Sequence, residues 1–315
     1  MAHLSPPAIP YGRASLAETA KKHHRAFTLR ELLVTIVVIA FLVGVPITLF
    51  VMQHAKGRHH SRQYNCAACV SGIHQGMVLF ADANKDQYPL PSLLDTANAT
   101  INAPASSKDT TANIISTLIY ANFFGPEICV CMGEKSSSIS QDADFEYSNP
   151  KTAANPKLAI WDPAFAADFT SASGGNLSFA HTLPSAKRLD QWTNTFQATE
   201  ASIGDRGPLV TSATKDNSRG VTPVFNAASK ASRNHGTGKV WTGNIGYNDN
   251  HVNYETTMWG TDDQSKAIKY TANTGIAWPD LLHYDEPDDK LATNNFLGIF
   301  TTSGKAPGEF KSIWD

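Results

Sequence analysis

The four cysteines of this 315-residue chain are the side chains whose spacing most clearly suggests chemistry. They form two close pairs, Cys66-x-x-Cys69 and Cys129-x-Cys131. Four thiolates can hold Zn²⁺ tetrahedrally, and paired cysteines often do so. In an oxidising compartment the same residues form disulfides. A redox-active C-x-x-C motif is disfavoured, because no βαβ pattern surrounds it. The spacing by itself leaves zinc and disulfides both open.

Two acidic clusters, Asp262–Asp263 and Asp285–Asp289, are the other candidate ligands. Calcium takes many oxygen ligands, and neither cluster has the spacing of an EF-hand loop. A solvated acidic loop is the simpler interpretation, and calcium binding is the alternative. We therefore expect no metal at these clusters and no cofactor, and at the cysteines a head exported across a membrane favours disulfides over zinc.

Catalytic signatures are missing from the sequence. We find no H-E-x-x-H, no G-x-S-x-G, no P-loop and no Rossmann glycine pattern. The chain is therefore predicted not to be an enzyme. Four histidines are interpreted as polar residues of the surface or of a hairpin: His181, His235, His251 and His283.

The overall charge argues against one class of partner. The formal net charge is −2 and the isoelectric point is near 6.6, so nothing favours binding to nucleic acid. Only 17% of the residues are charged, which suits a secreted or cell-surface protein.

An apolar segment near the N-terminus must position whatever follows it. No charged residue occurs from Leu32 to Met52, a helical length of about 30 Å, which is the thickness of the hydrocarbon core. A secretory signal has a shorter apolar region and a cleavage site of small residues. Here "MQHAKGRHHSR" follows instead, so a single membrane anchor is predicted. A plain anchor does not explain the acid Glu31 at its entrance.

The stretch "KKHHRAFTLRELLVTIVVIA" resembles the prepilin signature of type IV pilins and type II secretion pseudopilins. The resemblance implies a leader, residues 1–26, that a prepilin peptidase removes before Phe27. Ala26 stands where glycine is usual in the family. Glu31 would become the fifth residue of the mature, N-methylated chain and would pair with the α-ammonium of a neighbouring subunit. The alternative is that Glu31 lies among the lipid headgroups.

A second stretch, "CVSGIHQGMVLFADANKDQYP", resembles large pseudopilin-like proteins that are abundant in planctomycete-type bacteria. These proteins often carry a His, nine residues, then Asp-Gly. His235 and Asp249 match the His and Asp, although thirteen residues separate them and Asn250 replaces the glycine. The segment "IGDRGP", residues 203–208, is also similar. The resemblance implies a Cys69–Cys131 disulfide, with Cys66–Cys129 as the second choice.

The pattern of apolar residues predicts an α+β fold. The stripe Cys66, Cys69, Ile73, Met77, Phe80 has helical spacing, so we expect one long helix over 27–83, with residues 32–52 in the membrane. Residues 84–315 are predicted to form a head with an antiparallel sheet, as in pilins. A short helix is expected at 111–124, strands at 157–162, 176–181, 221–225 and 296–303, and a hairpin at 243–255 with Asp249 in its turn.

These expectations favour a structural subunit of a type II secretion pseudopilus or type IV pilus-like filament. Its partners would be the prepilin peptidase, other pilin-like subunits and the membrane. It would be a single-pass inner-membrane protein with its head in the periplasm or outside the cell. The alternative is a membrane-anchored periplasmic ligand-binding protein or hydrolase, which a pocket lined by tryptophans would favour: Trp161, Trp192, Trp241 or Trp259.

Overall fold

The computed structural model describes residues 28–216, 220–258, 271–272, 279–280, 282 and 296–315. In residues 48–60, 213–216, 220–223, 271–272 and 279–280 only the backbone is described. The chain divides into two units, Met1–Ala55 and Lys56–Asp315. The predictions for Ala26 and Phe27, for Trp259 and His283, and for the acidic clusters at 262–263 and 285–289 lie outside the described residues.

Helix α1, Leu29–Asp82, begins with the expected apolar segment and continues through Pro46. The 19 residues Leu29–Ile47 are long and apolar enough to cross a membrane. Their side chains are exposed on every side of the helix within this chain. An N-terminal apolar helix of this kind is either a membrane anchor or a signal sequence. The predicted apolar helix is therefore confirmed.

The C-terminal part of α1 belongs to the second unit and buries one face within it. Cys66, Val70, Ile73 and Met77 are fully buried and recur every three or four residues, which places them on one face of the helix. The Phe124 ring packs against this face at Gly76. A Cβ atom at position 76 would lie 2.6 Å from the Phe124 ring, so glycine permits the close approach.

The strands follow in chain order as β1 (Phe179–Thr182), β2 (Ala201–Asp205), β3 (Val210–Asp216), β4 (Gly220–Phe225), β5 (Gly243–Tyr247), β6 (Val252–Glu255), β7 (Thr271–Ala272), β8 (Pro279–Asp280), β9 (Leu297–Thr302) and β10 (Lys311–Ile313). Six of them form an antiparallel sheet in the order β10-β9-β1-β2-β5-β6. The pairs β3–β4 and β7–β8 form two small antiparallel ribbons. The described part of the chain is thus mixed helix and antiparallel sheet, as predicted.

The described residues also form three short helices: α2 (Pro91–Leu94), α3 (Thr111–Tyr120) and α4 (Ala231–Asn234). Short 3₁₀ turns occur in the same part of the chain at Ala105–Ser107, Pro126–Cys129, Pro156–Leu158, Ala186–Gln191 and Pro307–Glu309. The hydroxyl of Thr110 caps α3 by accepting from Asn113 N–H. Helix α3 contributes to two apolar clusters, since Ile114 belongs to the cluster of Met77 and Ile115 to the cluster of Ile73.

The strands and helix expected at 111–124, 176–181, 221–225, 296–303 and 243–255 are present, and each end lies within four residues of its predicted position. The strand predicted at 157–162 is wrong. Pro156 starts a 3₁₀ turn there. Asp162 then draws backbone groups to its side chain, because its carboxylate accepts from the N–H groups of Ala164 and Glu146 at 2.9 Å each.

Candidate functional site

The first turn of α1 holds Glu31 in a capping box with Thr28. The Thr28 N–H and hydroxyl each donate to Glu31 Oε2 at 2.9 Å, and Glu31 N–H donates to Thr28 Oγ1 at 3.3 Å. Such a pair satisfies backbone donors that the start of a helix leaves open. Glu31 thus has a local structural partner that the sequence analysis did not foresee.

A disulfide joins Cys66 of α1 to Cys131, which follows the 3₁₀ turn Pro126–Cys129. This corrects the pairings Cys69–Cys131 and Cys66–Cys129 that the family resemblance implied. Cys66 lies in the middle of the buried face of α1, whereas Cys69 lies at its edge and is only partly buried. The Cα atoms of Cys66 and Cys131 are 5.2 Å apart, a distance that suits a disulfide.

The other two cysteines, Cys69 and Cys129, are free thiols. Burial raises the pKa of both, and Asp205 adds to the effect at Cys69. The shift is larger for Cys129, which is fully buried. A thiol with a raised pKa is a poor nucleophile, so neither residue is an activated cysteine.

His235 lies against the disulfide. Its Nε2 atom is 3.3 Å from Cys131 Sγ and 3.4 Å from Asp205 Oδ2. The side chains of His235 and Asp205 are only 1% and 5% exposed. The interpretation of His235 as a surface residue is therefore wrong, and so is that of His181, which is also fully buried. His235 follows the polar stretch "KASRN", residues 230–234, which concealed its burial.

The segment "IGDRGP" supplies two charged residues to this region, Asp205 and Arg206. Asp205 Oδ2 accepts from Asn244 N–H at 2.6 Å, which fixes the carboxylate against strand β5. The Arg206 guanidinium bonds Glu134 at 2.9 Å and Asp315 at 2.6 Å. Burial alone would raise the pKa of Glu134, but the adjacent guanidinium holds it below its usual value. The family resemblance pointed to this segment, but the sequence did not predict the contacts of Asp205 and Arg206.

Asp249, the second residue of the family motif, lies in the turn between β5 and β6, as expected of a turn residue. Its carboxylate accepts from both the backbone N–H and the ring of His251. Asn250 has a φ of 67°, a left-handed conformation that asparagine tolerates and glycine favours. His235 lies at the opposite end of the hairpin, where Tyr254 OH donates to its carbonyl. The hairpin thus separates the two motif residues.

A buried polar network near this turn escaped the sequence analysis. Tyr88 OH donates to Asn248 Oδ1 at 2.7 Å, and His74 Nε2 lies 3.1 Å from the same hydroxyl. The Asn248 amide donates to Glu200 Oε2 at 3.2 Å. Burial lowers the pKa of His74 and raises that of Tyr88, so both are neutral near pH 7. His74 follows Val70 by one helical turn, and this spacing could have predicted its burial.

Two adjacent clefts of about 480 and 470 Å³ share the residues Gln87, Leu90 and Leu93. Asp109 lines the larger cleft, where burial raises its pKa. Trp161, Trp192 and Trp241 line neither cleft and are fully buried instead. These two clefts of the described residues therefore lack the tryptophan lining that would have favoured a ligand-binding protein.

No family model, no curated protein and no solved structure matches this chain.

Proposed function

We propose that this protein is a prepilin-like structural subunit of a type II secretion pseudopilus or a type IV pilus-like filament. The observation that carries the proposal is Glu31 in the first turn of α1, at the start of the apolar stretch Leu29–Ile47. Side chains of this stretch are exposed on every side within the chain. Apolar surface of this extent needs a cover, and lipid or the helices of other subunits provide one.

Glu31 is the residue that favours a filament subunit over a plain membrane anchor. Its hydrogen-bond donors in the capping box, the N–H and hydroxyl of Thr28, are uncharged. A carboxylate in or near hydrocarbon is costly without a cation. If a peptidase cleaves between Ala26 and Phe27, the new α-ammonium of a neighbouring subunit supplies that cation. The pair would fix how far one helix is displaced along the next in a filament.

The second unit supports the proposal through its architecture and its disulfide. The C-terminal part of α1 packs on a core shared with an antiparallel sheet, as expected for a pilin-like head. The Cys66–Cys131 bond suits an oxidising compartment, so we place the head in the periplasm or outside the cell. The inner membrane would hold α1, and the prepilin peptidase and other pilin-like subunits would be the partners.

We propose no enzymatic activity. Asp249 and His251 form the one exposed acid–histidine pair of the described hairpin, and the bond serves the turn in which both residues lie. His181 and His74 are buried in polar networks of the core, away from solvent. Removal of the leader and methylation would be done to this protein by other enzymes.

Intact mass spectrometry of the protein from its native membrane tests the proposal. We expect the mass of a chain that begins at Phe27, with one added methyl group. A retained leader, or cleavage after the apolar stretch, would show an ordinary anchor or a signal sequence. Cross-linking in the same membranes should give ladders of higher-order assemblies.

A further inference from the structure

Three metal-binding atoms meet in the second unit: Cys66 Sγ, Cys131 Sγ and His235 Nε2. All three lie within 4.8 Å of one another and belong to buried residues. They come from α1, from the segment before β1, and from the residue after α4. A disulfide needs no imidazole nitrogen beside it, yet His235 Nε2 lies 3.3 Å from Cys131 Sγ. The disulfide alone therefore does not account for this arrangement.

Asp205 adds an independent observation. Its Oδ2 atom lies 3.4 Å from His235 Nε2. Its Oδ1 atom is buried and has no hydrogen-bond partner among the described residues. Buried carboxylate oxygens are nearly always hydrogen-bonded or bound to a metal, because an unpaired one is costly. The side chain of Asp205 therefore keeps an acceptor atom that a cation could occupy, next to His235.

Gly133 shapes the same site. Its N–H donates to Cys131 Sγ at 3.2 Å, a bond that stabilises a thiolate. A Cβ atom at position 133 would lie 3.3 Å from both Cys131 Sγ and His235 Cε1, and 2.8 Å from the carbonyl oxygen of Asn234. A residue without a side chain is thus required where sulfur and imidazole approach each other.

We propose that Cys66, Cys131 and His235 bind Zn²⁺ when the disulfide is reduced, with the Asp205 carboxylate as the fourth ligand. Two sulfurs, one nitrogen and one oxygen form a donor set that zinc accepts in tetrahedral geometry. With Zn–S near 2.3 Å and Zn–N near 2.0 Å, bound sulfur and nitrogen lie about 3.5 Å apart. The observed 3.3 Å between Cys131 and His235 is close to that distance.

Zinc would replace the Cys66–Cys131 disulfide in two steps. A dithiol reductant gives two electrons and two protons to the Cys66–Cys131 bond, which yields two thiols and leaves the reductant as a disulfide. Zn²⁺ then displaces the two thiol protons, and His235 binds through the lone pair of Nε2 with its proton on Nδ1. Oxidation of the two thiolates reverses the process and releases the metal. The proposal is independent of filament assembly.

Cobalt binding to the full-length protein in detergent tests the site. The variant Cys69→Ser/Cys129→Ala leaves only Cys66 and Cys131, and dithiothreitol reduces it before anaerobic removal of the reductant. We expect one equivalent of Co²⁺ to bind, with a thiolate charge-transfer band and the intense visible bands of tetrahedral cobalt. Zn²⁺ should displace it. The oxidised protein should bind none.

Ligand variants and alkylation provide the controls. His235→Ala should weaken zinc binding by about 100-fold or more, and Asp205→Asn by about 10- to 100-fold. In the reduced wild type, zinc should protect Cys66 and Cys131 from alkylation while Cys69 still reacts. The proposal fails if the reduced, folded protein binds no cobalt or if His235→Ala binds it as well as its parent. If His235→Ala does not fold, equal alkylation of Cys66 with and without zinc refutes the site.

Discussion

Thr28 and Glu31 bond each other reciprocally at the start of α1, with two bonds to Glu31 Oε2 at 2.9 Å and one returned to Thr28 Oγ1 at 3.3 Å. The carboxylate therefore has two separable properties, its ability to cap the helix and its negative charge. Glutamine keeps the first and loses the second, because either residue completes a capping box. Alanine loses both.

The first prediction uses this difference. Glu31→Gln should insert into the membrane and fold its head as the wild type does, but its higher-order assemblies should be reduced. A neighbour's α-ammonium would then be left without its partner, at a cost of several kcal/mol in a site of low dielectric constant. Cross-linking in membranes measures the assembly of the variant, and circular dichroism measures the folding of its head.

Glu31→Ala is the matched comparison. If the alanine variant fails to assemble while Glu31→Gln assembles normally, capping is the role of Glu31. If both variants assemble as well as the wild type, the filament proposal loses its main physical support.

The second prediction concerns processing. Ala26 stands where the prepilin family has glycine, so Ala26→Gly should increase the rate of cleavage before Phe27. A pulse-chase experiment with a co-expressed prepilin peptidase measures this rate. Ala26→Val, with a larger side chain, should slow it. Equal rates for all three proteins would mean that the peptidase does not act at this bond.

The third prediction concerns the disulfide. Non-reducing peptide mapping should link Cys66 to Cys131, which are 65 residues apart in sequence. Cys66→Ser should lower the free energy of unfolding by about 4 kcal/mol in the chain-entropy model. Cys69→Ser, at the edge of the same helix face, should change it little. A Cys69–Cys131 peptide from the oxidised protein would contradict the structure.

The fourth prediction concerns a buried ion pair between Lys108 and Asp95. Lys108 is fully buried, and its ammonium donates to the Asp95 carboxylate at 2.8 Å and to Asn98 Oδ1 at 2.6 Å. Lys108→Ala should destabilise the protein by about 3–5 kcal/mol, because it leaves a buried carboxylate without its cation. Chemical denaturation measures the difference.

Lys151 provides the control for this measurement. It also pairs with an acid, Glu146, but its side chain is 88% exposed. Lys151→Ala should therefore leave the free energy of unfolding almost unchanged, because water screens an exposed pair. If the two variants lose similar amounts of unfolding free energy, the buried Lys108–Asp95 pair does not stabilise the fold more than an exposed pair does.

The fifth prediction concerns acid stability through His181. Burial lowers its pKa to about 4, although a hydrogen bond to the Thr182 carbonyl opposes the shift. The folded state thus favours neutral His181, while the unfolded state takes up a proton near pH 6.5. This stability is fully present above pH 6.5 and is lost as the pH falls towards 4, by on the order of 3 kcal/mol.

Denaturation at several pH values tests this effect. His181→Gln should flatten the decline between pH 6.5 and 4, although His74 contributes a decline of the same sign. Ile115→Val, in the core of α3, should lower stability by about 1 kcal/mol at every pH and leave the slope unchanged. An unchanged slope in His181→Gln would refute the assignment.

The sequence predicted the elements better than it predicted the contacts between them. Local patterns such as the stripe of α1 and the 243–255 hairpin depend on neighbouring residues, and the structure confirms both elements. The choice of Cys66 over Cys69 depends on which part of a helix face meets another segment. That orientation follows from the packing of the whole core, which local periodicity does not encode.

The buried polar residues were the hardest to foresee. His235 was predicted to be a polar residue of the surface or of a hairpin, and no burial was predicted for Asp205. Their burial depends on partners distant in sequence, Cys131 for His235 and Asn244 for Asp205. Strand β2 was missed for a related reason, since "ASIGD" has too few apolar residues to show an alternating pattern.

The placement of β9 has a consequence for the order of folding during synthesis. This strand lies beside β1, where His181 pairs with Gly298, although the two residues are 117 positions apart in sequence. The sheet therefore stays open at β1 until almost the whole chain has been made. A nascent chain at that stage presents an unpaired strand edge, a template for aggregation. Until β9 arrives, β1 has only β2 as a partner in this sheet.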